Sequence, residues 1–309
     1  MIQKIHINSS LDASLDFILS KLPLKVKSAM RDYLESKKIC VLNEIRIYAS
    51  SFVVFVANRT TIETDIFVSK DAIEDIVVCL CGGSVYAHLN TIKDGYISIG
   101  KGIRAGICGR AVLDNSNTVT GISEVKSINI RLPQRIAHAG DFVHKLLSEH
   151  SFNASLILYS VPGVGKTTIL RDLVCLLSKD KPPIRHAIID AREEISPFLN
   201  ISTCSDIYLS YPKGLAIELA TKSMAPQLII CDEITSMQEA KAILESVNSG
   251  VSFVATTHAK NFNELMSKEI IKPLIHGNVF DYAVGIKRNQ NNKFEYKVDS
   301  IKWKLLARF

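Results

Sequence analysis

The chain has 309 residues, of which 47% are apolar and 22% charged, with a formal net charge of +6. That length is enough for two domains with sizeable cores, and the composition describes an ordinary globular protein. The positive balance is mild and spread along the chain, so by itself it does not argue for nucleic acid. The N-terminus carries Asp12 and Asp16 among its apolar residues and lacks the continuous apolar region of a signal peptide. No apolar run approaches the ~20 residues of a membrane span. Seven cysteines, with Cys79, Cys81, Cys175 and Cys231 embedded in apolar runs, read as reduced core residues. Cys79-x-Cys81 has no second pair or nearby His to make it a metal site. These features predict a soluble, cytoplasmic protein.

Residues 11–36 alternate apolar and polar residues at helical spacing, with Pro23 starting a second helix. Segments 44–49 and 52–57 predict a β-hairpin turned at two serines, and Ser69 is placed to cap a helix from Lys70 to about Cys81. Short strands are expected at 96–99, 107–113 and 127–132, with a turn at Asp114 to Asn117. Helices followed by strands, without alternation, predict a separate α+β N-terminal domain over 1–136. From 137 to 309 strands and helices alternate, with strands expected at 155–159, 186–190, 206–209, 227–231, 252–256 and 279–287 and a final hairpin strand within 293–305. Short apolar strands of this kind belong to a mostly parallel sheet covered on both faces, an α/β core.

The chain is organised around residues 155–171. An apolar strand enters Ser160-Val161-Pro162-Gly163-Val164-Gly165-Lys166-Thr167-Thr168 and leaves it as a helix, the order of a phosphate-binding P-loop, or Walker A motif. The glycines let backbone N–H groups converge on a β-phosphate, and the helix N-terminus adds its dipole. Lys166 is placed to neutralise the β- and γ-oxygens, and the Thr167 hydroxyl to ligate Mg²⁺. Ser160 stands where the motif has its first glycine, which a negative φ would make tolerable.

Residues 228–233 end an apolar strand in Asp232 and Glu233. Ligands of parallel sheets bind beyond the carboxyl ends of strands, so both acids are expected to face the P-loop. Asp232 would hold Mg²⁺ through water and Glu233 would polarise the attacking water. The next strand ends in Thr256-Thr257-His258, where His258 is placed to sense a γ-phosphate. Asp190 and Glu193, after another strand, either orient water or metal or begin a charged helix.

Together these residues resemble the stage III sporulation protein AA family of endospore-forming bacteria, which is similar to the ring-forming traffic ATPases of type II and type IV secretion. The resemblance covers Glu44-Ile-Arg46, Ala105-Gly-Ile-Cys-Gly-Arg110-Ala-Val, Ser127-Ile-Asn-Ile-Arg131, the P-loop into Leu170-Arg171-Asp172, Ile189-Asp190-Ala-Arg192, Met224-Ala-Pro226, Asp232-Glu233-Ile and Ala255-Thr256-Thr257-His258. It implies a RecA-like ATPase domain behind the α+β domain, ATP and Mg²⁺ as ligands, and assembly as a hexameric ring. Nucleotide would sit between the domains, with Arg110 and Arg131 in the matching motifs, and Arg104 and Arg135 close by, either reaching the phosphates or serving as surface charges. The setting implied is the cytoplasmic, mother-cell side of a membrane channel to the forespore, with membrane proteins as partners.

The chain departs from the family pattern at Ser160, at Lys222 where arginine is typical, and at Thr235-Ser236 where Gly-Arg is usual. A planar guanidinium clamps phosphate in a way that Lys or Ser does not. Three readings therefore stand: a slow ATP-driven motor, a nucleotide-gated scaffold with little turnover, and a nucleic-acid-dependent ATPase. The last is disfavoured, and no nucleic-acid partner is expected, because no basic stripe interleaved with aromatics is present.

Overall fold

The structure, a computed structural model, describes residues 9–301 except 40–41, 58–59, 134–135, 198, 200–203, 248 and 291, with side chains described from residue 13. The chain divides into two compact units, Met1–Gln134 and Arg135–Phe309.

The first unit starts with α1 (Ser9–Ser20) and α2 (Leu24–Ser36). Pro23 stands at the N-cap of α2, where its missing N–H leaves no helical bond unmade, and Met30 and Leu34, one turn apart, form the buried stripe. Next come β1 (Glu44–Tyr48), β2 (Ser51–Ala57) and β3 (Thr60–Val68), then α3 (Lys70–Leu80), a 3-10 turn and α4 (Leu89–Lys93), and finally β4 (Tyr96–Gly100), β5 (Ile103–Leu113) and β6 (Val119–Arg131). The strands make one antiparallel sheet in the order β3-β2-β1-β6-β5-β4. Period-two alternation buries Ile45, Ile47, Val53, Phe55, Ile128 and Ile130, each worth about 1.5–3 kcal/mol relative to exposure. The Ser69 hydroxyl accepts from the Ala72 amide at 3.2 Å, capping α3 as expected. Strand β3 is an addition to the expected set. Its inward face begins with Thr64, whose buried hydroxyl donates to the Val53 carbonyl at 2.8 Å, so the apolar alternation that marks a strand is broken there.

The second unit runs α5 (Asp141–Glu149), β7 (Leu156–Ser160), α6 (Lys166–Leu177), β8 (His186–Asp190), β9 (Ser205–Leu209), α7 (Lys213–Ser223), β10 (Leu228–Glu233), α8 (Met237–Val247), β11 (Ser252–His258), α9 (Phe262–Ser267), α10 (Lys272–His276), β12 (Tyr282–Arg288) and β13 (Phe294–Ser300). Its sheet has the order β13-β12-β7-β11-β10-β8-β9, parallel except for the β12–β13 hairpin. Every residue of β7 and of β8 is buried, because both faces of the sheet are covered. Leu156 and Leu158 join Ile169 and Leu173 of α6 in one core cluster, while Ile157 and Tyr159 join Ala216, Ile243 and Leu265 in the other. The strands expected in this half are all present, and β10 and β11 run on to include Glu233 and His258. The tail 302–309, with Trp303, lies outside the described residues. Among the described residues no single helix is long and apolar enough to cross a membrane.

Candidate functional site

Strand β7 lies beside β11, and β11 beside β10, so their carboxyl ends stand together at one edge of the sheet. The chain leaves β7 through a loop that only glycine fits comfortably: φ is +79° at Gly163 and +117° at Gly165. A Cβ at Gly165 would lie 3.1 Å from both the Arg288 guanidinium and the Phe294 ring. These two residues brace the loop from the β12–β13 hairpin. Arg288 donates Nε to the Val164 carbonyl at 2.9 Å and Nη1 to the Asn292 carbonyl at 2.7 Å, with its guanidinium 3.6 Å over the Phe294 ring. Ser160 is not among the residues with positive φ, and its hydroxyl donates to the Val161 carbonyl at 2.8 Å, so the side chain in place of glycine is accommodated.

Lys166 opens α6 and is only 7% exposed. Its Nζ stands 2.7 Å from His258 Nδ1 and 3.4 Å from the Ser160 hydroxyl. Burial pushes its pKa below the ordinary lysine value, against the opposing pull of Glu233 and Asp232 and with a smaller contribution from Lys268. An ammonium only donates, so Nδ1 of His258 is the acceptor and the imidazole proton sits on Nε2, which faces Glu233 Oε2 at 3.4 Å. His258 therefore bridges the P-loop lysine and the second acid of β10.

Two adjacent strand residues ordinarily point to opposite faces. Here both acids reach the site, because the register of β10 against β11 shifts between Cys231 and Glu233. Asp232 is 8% exposed and its Oδ1 accepts from the Thr256 hydroxyl at 3.3 Å. The buried Lys213, from the start of α7, donates Nζ to the Glu233 carbonyl and pins the end of the strand.

Gly163, Gly165, Lys166, Thr167 and Thr168 line one cavity of about 340 Å³ together with Asp232, Glu233 and His258. Pro162 and Val164, also expected at the phosphates, lie in the loop without lining this cavity; Pro162 is exposed and Val164 packs on the core beneath.

Asp190, expected either to orient water or metal or to begin a charged helix, does not line this cavity. It is fully buried at the end of β8, with Oδ1 accepting from the Glu194 amide at 2.8 Å and Oδ2 from the amides of Ile195 and Ser196 at 3.0 and 2.8 Å and the Ser196 hydroxyl at 2.8 Å. The carboxylate is the nucleus of the loop that follows. Glu193 sits in that loop with φ +55°, accepts from the Ser210 hydroxyl at 2.8 Å and does not line the cavity. Its neighbours Arg192 and Glu194 do. Sequence reading missed both, since in Asp-Ala-Arg-Glu-Glu nothing local says which acid the turn aims at the cavity. Arg171 of α6 donates Nε to the Glu194 carbonyl, tying that loop to the P-loop helix.

Arg110 and Arg131 belong to the first unit, on β5 and β6. Arg110 pairs with Glu124 at 3.7 Å and Arg131 with Glu44 at 3.6 Å, and both are largely exposed. Arg104 lies over the Tyr96 ring at 4.8 Å, and Arg135 falls outside the described residues.

The model of the family described as "Sporulation stage III, protein AA" matches residues 18–296. The chain belongs to that family. It is 28% identical over 280 residues to the stage III sporulation protein AA of Bacillus subtilis (strain 168), covering 88% of this chain and 90% of that one. The fold is similar to that of the Legionella pneumophila ATPase DotB, at a TM-score of 0.59 and 14% identity, covering 91% of this chain and 83% of that one. It is also similar to the pilus retraction motor PilT with bound ADP, at a TM-score of 0.62 and 12% identity over 90% and 87% of the two chains. These likenesses are of fold: the second unit has a RecA-like α/β fold and follows an α+β N-terminal unit in the chain.

Proposed function

We propose that the chain binds Mg-ATP in the cavity at the ends of β7, β10 and β11 and hydrolyses it slowly, as a ring-forming, hexameric motor of endospore formation. It would act from the cytoplasmic, mother-cell side of the forespore envelope, peripheral to the membrane. There it would energise assembly of, or transport through, a membrane channel whose proteins are its partners. The observation that carries this reading is the convergence of Lys166, Thr167, Asp232, Glu233 and His258 on one cavity. It is supported by the likeness in fold to DotB, an ATPase, and to PilT, a motor with bound ADP.

The donor set fits Mg²⁺: the Thr167 hydroxyl and the Asp232 carboxylate are hard oxygen ligands beside a lysine. Among the described residues no group of three metal-ligating side chains exists, so the ion would take its remaining ligands from phosphate and water. Bound there, Mg²⁺ would neutralise charge on the phosphates. The amides of residues 163–168 would surround the β-phosphate, with Lys166 and Arg192 supplying positive charge. Glu233 would accept the proton of the attacking water, and His258 would report the terminal phosphate by exchanging its contact with Lys166. Arg110 and Arg131 are further candidates for phosphate contact.

A specific observation favours a nucleotide-gated scaffold as the second reading. Lys222 is exposed and pairs with Glu218, Thr235 donates its amide to Glu239 at 2.7 Å, and Ser236 accepts from the Glu239 amide at 3.2 Å. None of the three lines the cavity, so none supplies positive charge there. Steady-state ATP hydrolysis with Mg²⁺, over a range of protein concentration, separates the two. Turnover that rises with concentration and is lost in both Lys166→Ala and Glu233→Gln is the expected result. ATP binding without turnover, lost only in Lys166→Ala, refutes the motor and leaves the scaffold.

A further inference from the structure

The second unit carries another cavity, of about 210 Å³, on the face of the sheet shared by Tyr159 and Gly285. Its apolar lining includes Tyr159, Ala259 and Phe262. The Tyr159 ring lies directly against the backbone of Gly285: a Cβ there would meet the hydroxyl oxygen at 2.6 Å and Cζ at 2.7 Å. Glycine at 285 is what lets the ring take this position. Tyr159 lines the cavity, and its hydroxyl, which is not one of the fully enclosed polar atoms, has no hydrogen-bond partner among the described residues. Burial, with the charge of Asp299, holds its pKa above the ordinary tyrosine value, so it remains a neutral donor.

The rim is basic. Lys260 follows β11, Lys287 ends β12 and Lys297 lies on β13. Lys260 and Lys287 have no acidic partner among the described residues, and Lys297 stands 3.8 Å from Asp299. Glu295 is the one acid lining the cavity, across the ladder from Lys287. A phenol hydroxyl free to donate, an apolar lining and two ammonium groups without an ion pair, on different elements, suit an apolar side chain flanked by carboxylates.

We propose that this cavity binds an acidic peptide segment of a protein partner. One apolar side chain of the segment rests on Phe262 and Tyr159, a carboxylate accepts from the Tyr159 hydroxyl, and flanking acids lie along Lys260 and Lys287. A peptide fits better than a small anion because the cations stand on three separate elements around the cavity, a spread that an extended chain spans. Ser160 and Ala259 line the same cavity, next to the P-loop and to His258, so an occupant touches both flanks of the nucleotide site. The assignment does not depend on ATP turnover.

The test is fluorescence anisotropy of a labelled Glu-Asp-Phe-Glu-Asp peptide, amidated at its end, titrated with the full chain. Saturable binding that weakens with salt is expected. It should fall about tenfold or more in the Lys260→Glu, Lys287→Glu double variant and several-fold in Tyr159→Phe. Both lysines are exposed, so the double variant keeps its fold, which circular dichroism checks. Equal binding by the double variant, or no binding by the wild type, overturns the proposal. Displacement by inorganic pyrophosphate would place the peptide in the phosphate cavity and also overturn it. Binding of phenylacetate, dependent on Tyr159, without binding of the peptide would assign a small-molecule site instead.

Discussion

Replacing Asp190 by Asn tests a loop-ordering role for that residue with almost no change of shape. The carboxylate accepts four hydrogen bonds at 2.8–3.0 Å, three from loop amides and one from the Ser196 hydroxyl. An amide keeps one oxygen, so in its best orientation the new NH₂ faces the Glu194 N–H and that bond is lost. A hydrogen bond to a charged group contributes about 1.5–3 kcal/mol, and the other three weaken when the charge goes. The expected destabilisation is about 3 kcal/mol, roughly a 6–12 °C fall in Tm for a unit of this size. Thermal and urea unfolding measure it directly. Hydrolysis by the remaining folded protein should fall only moderately, through displacement of Arg192 and Glu194. Unchanged stability with hydrolysis abolished would refute the reasoning and return Asp190 to the chemistry.

Two other outcomes are expected. Arg288→Ala removes the bond to the Val164 carbonyl and releases the P-loop, costing about 1.5 kcal/mol and so near tenfold in Kd for ADP by calorimetry; an unchanged Kd would show that the brace is idle. The Lys166 pKa is depressed by burial, so the fold disfavours its charged form fully below the depressed value, and that penalty is relieved as pH climbs towards the ordinary 10.5. Wild-type stability should therefore gain on Lys166→Met across that window, and parallel pH curves would contradict it.

What could be read from residues alone was what local patterns encode. Unbroken apolar runs marked β7 and β8, the Gly-Lys-Thr turn marked the P-loop, and Ser69 marked a helix start, because each depends on neighbours within a few positions. Long-range contacts were silent. The bond from Arg288 to Val164 joins residues 124 apart in sequence, and neither residue is unusual where it stands. The register shift at Asp232 decides that both acids reach one cavity, yet it is a property of β10 against β11. Glu194 and Glu193 differ only in how the loop wraps on Asp190, and that wrapping follows from a carboxylate being buried with four donors to satisfy.

The contact between Lys166 and His258 has a consequence for how tightly nucleotide can be held. One of the three ammonium donors already has an acceptor at 2.7 Å. Where a phosphate takes that donor over, the gain from it is only the difference between an imidazole nitrogen and a phosphoryl oxygen. Weakly basic anions in the surrounding solution gain little from that exchange, whereas a triphosphate gains on several oxygens at once. The resting site thus discriminates by the number of charges presented together, and each arrival sets free an imidazole that still faces Glu233.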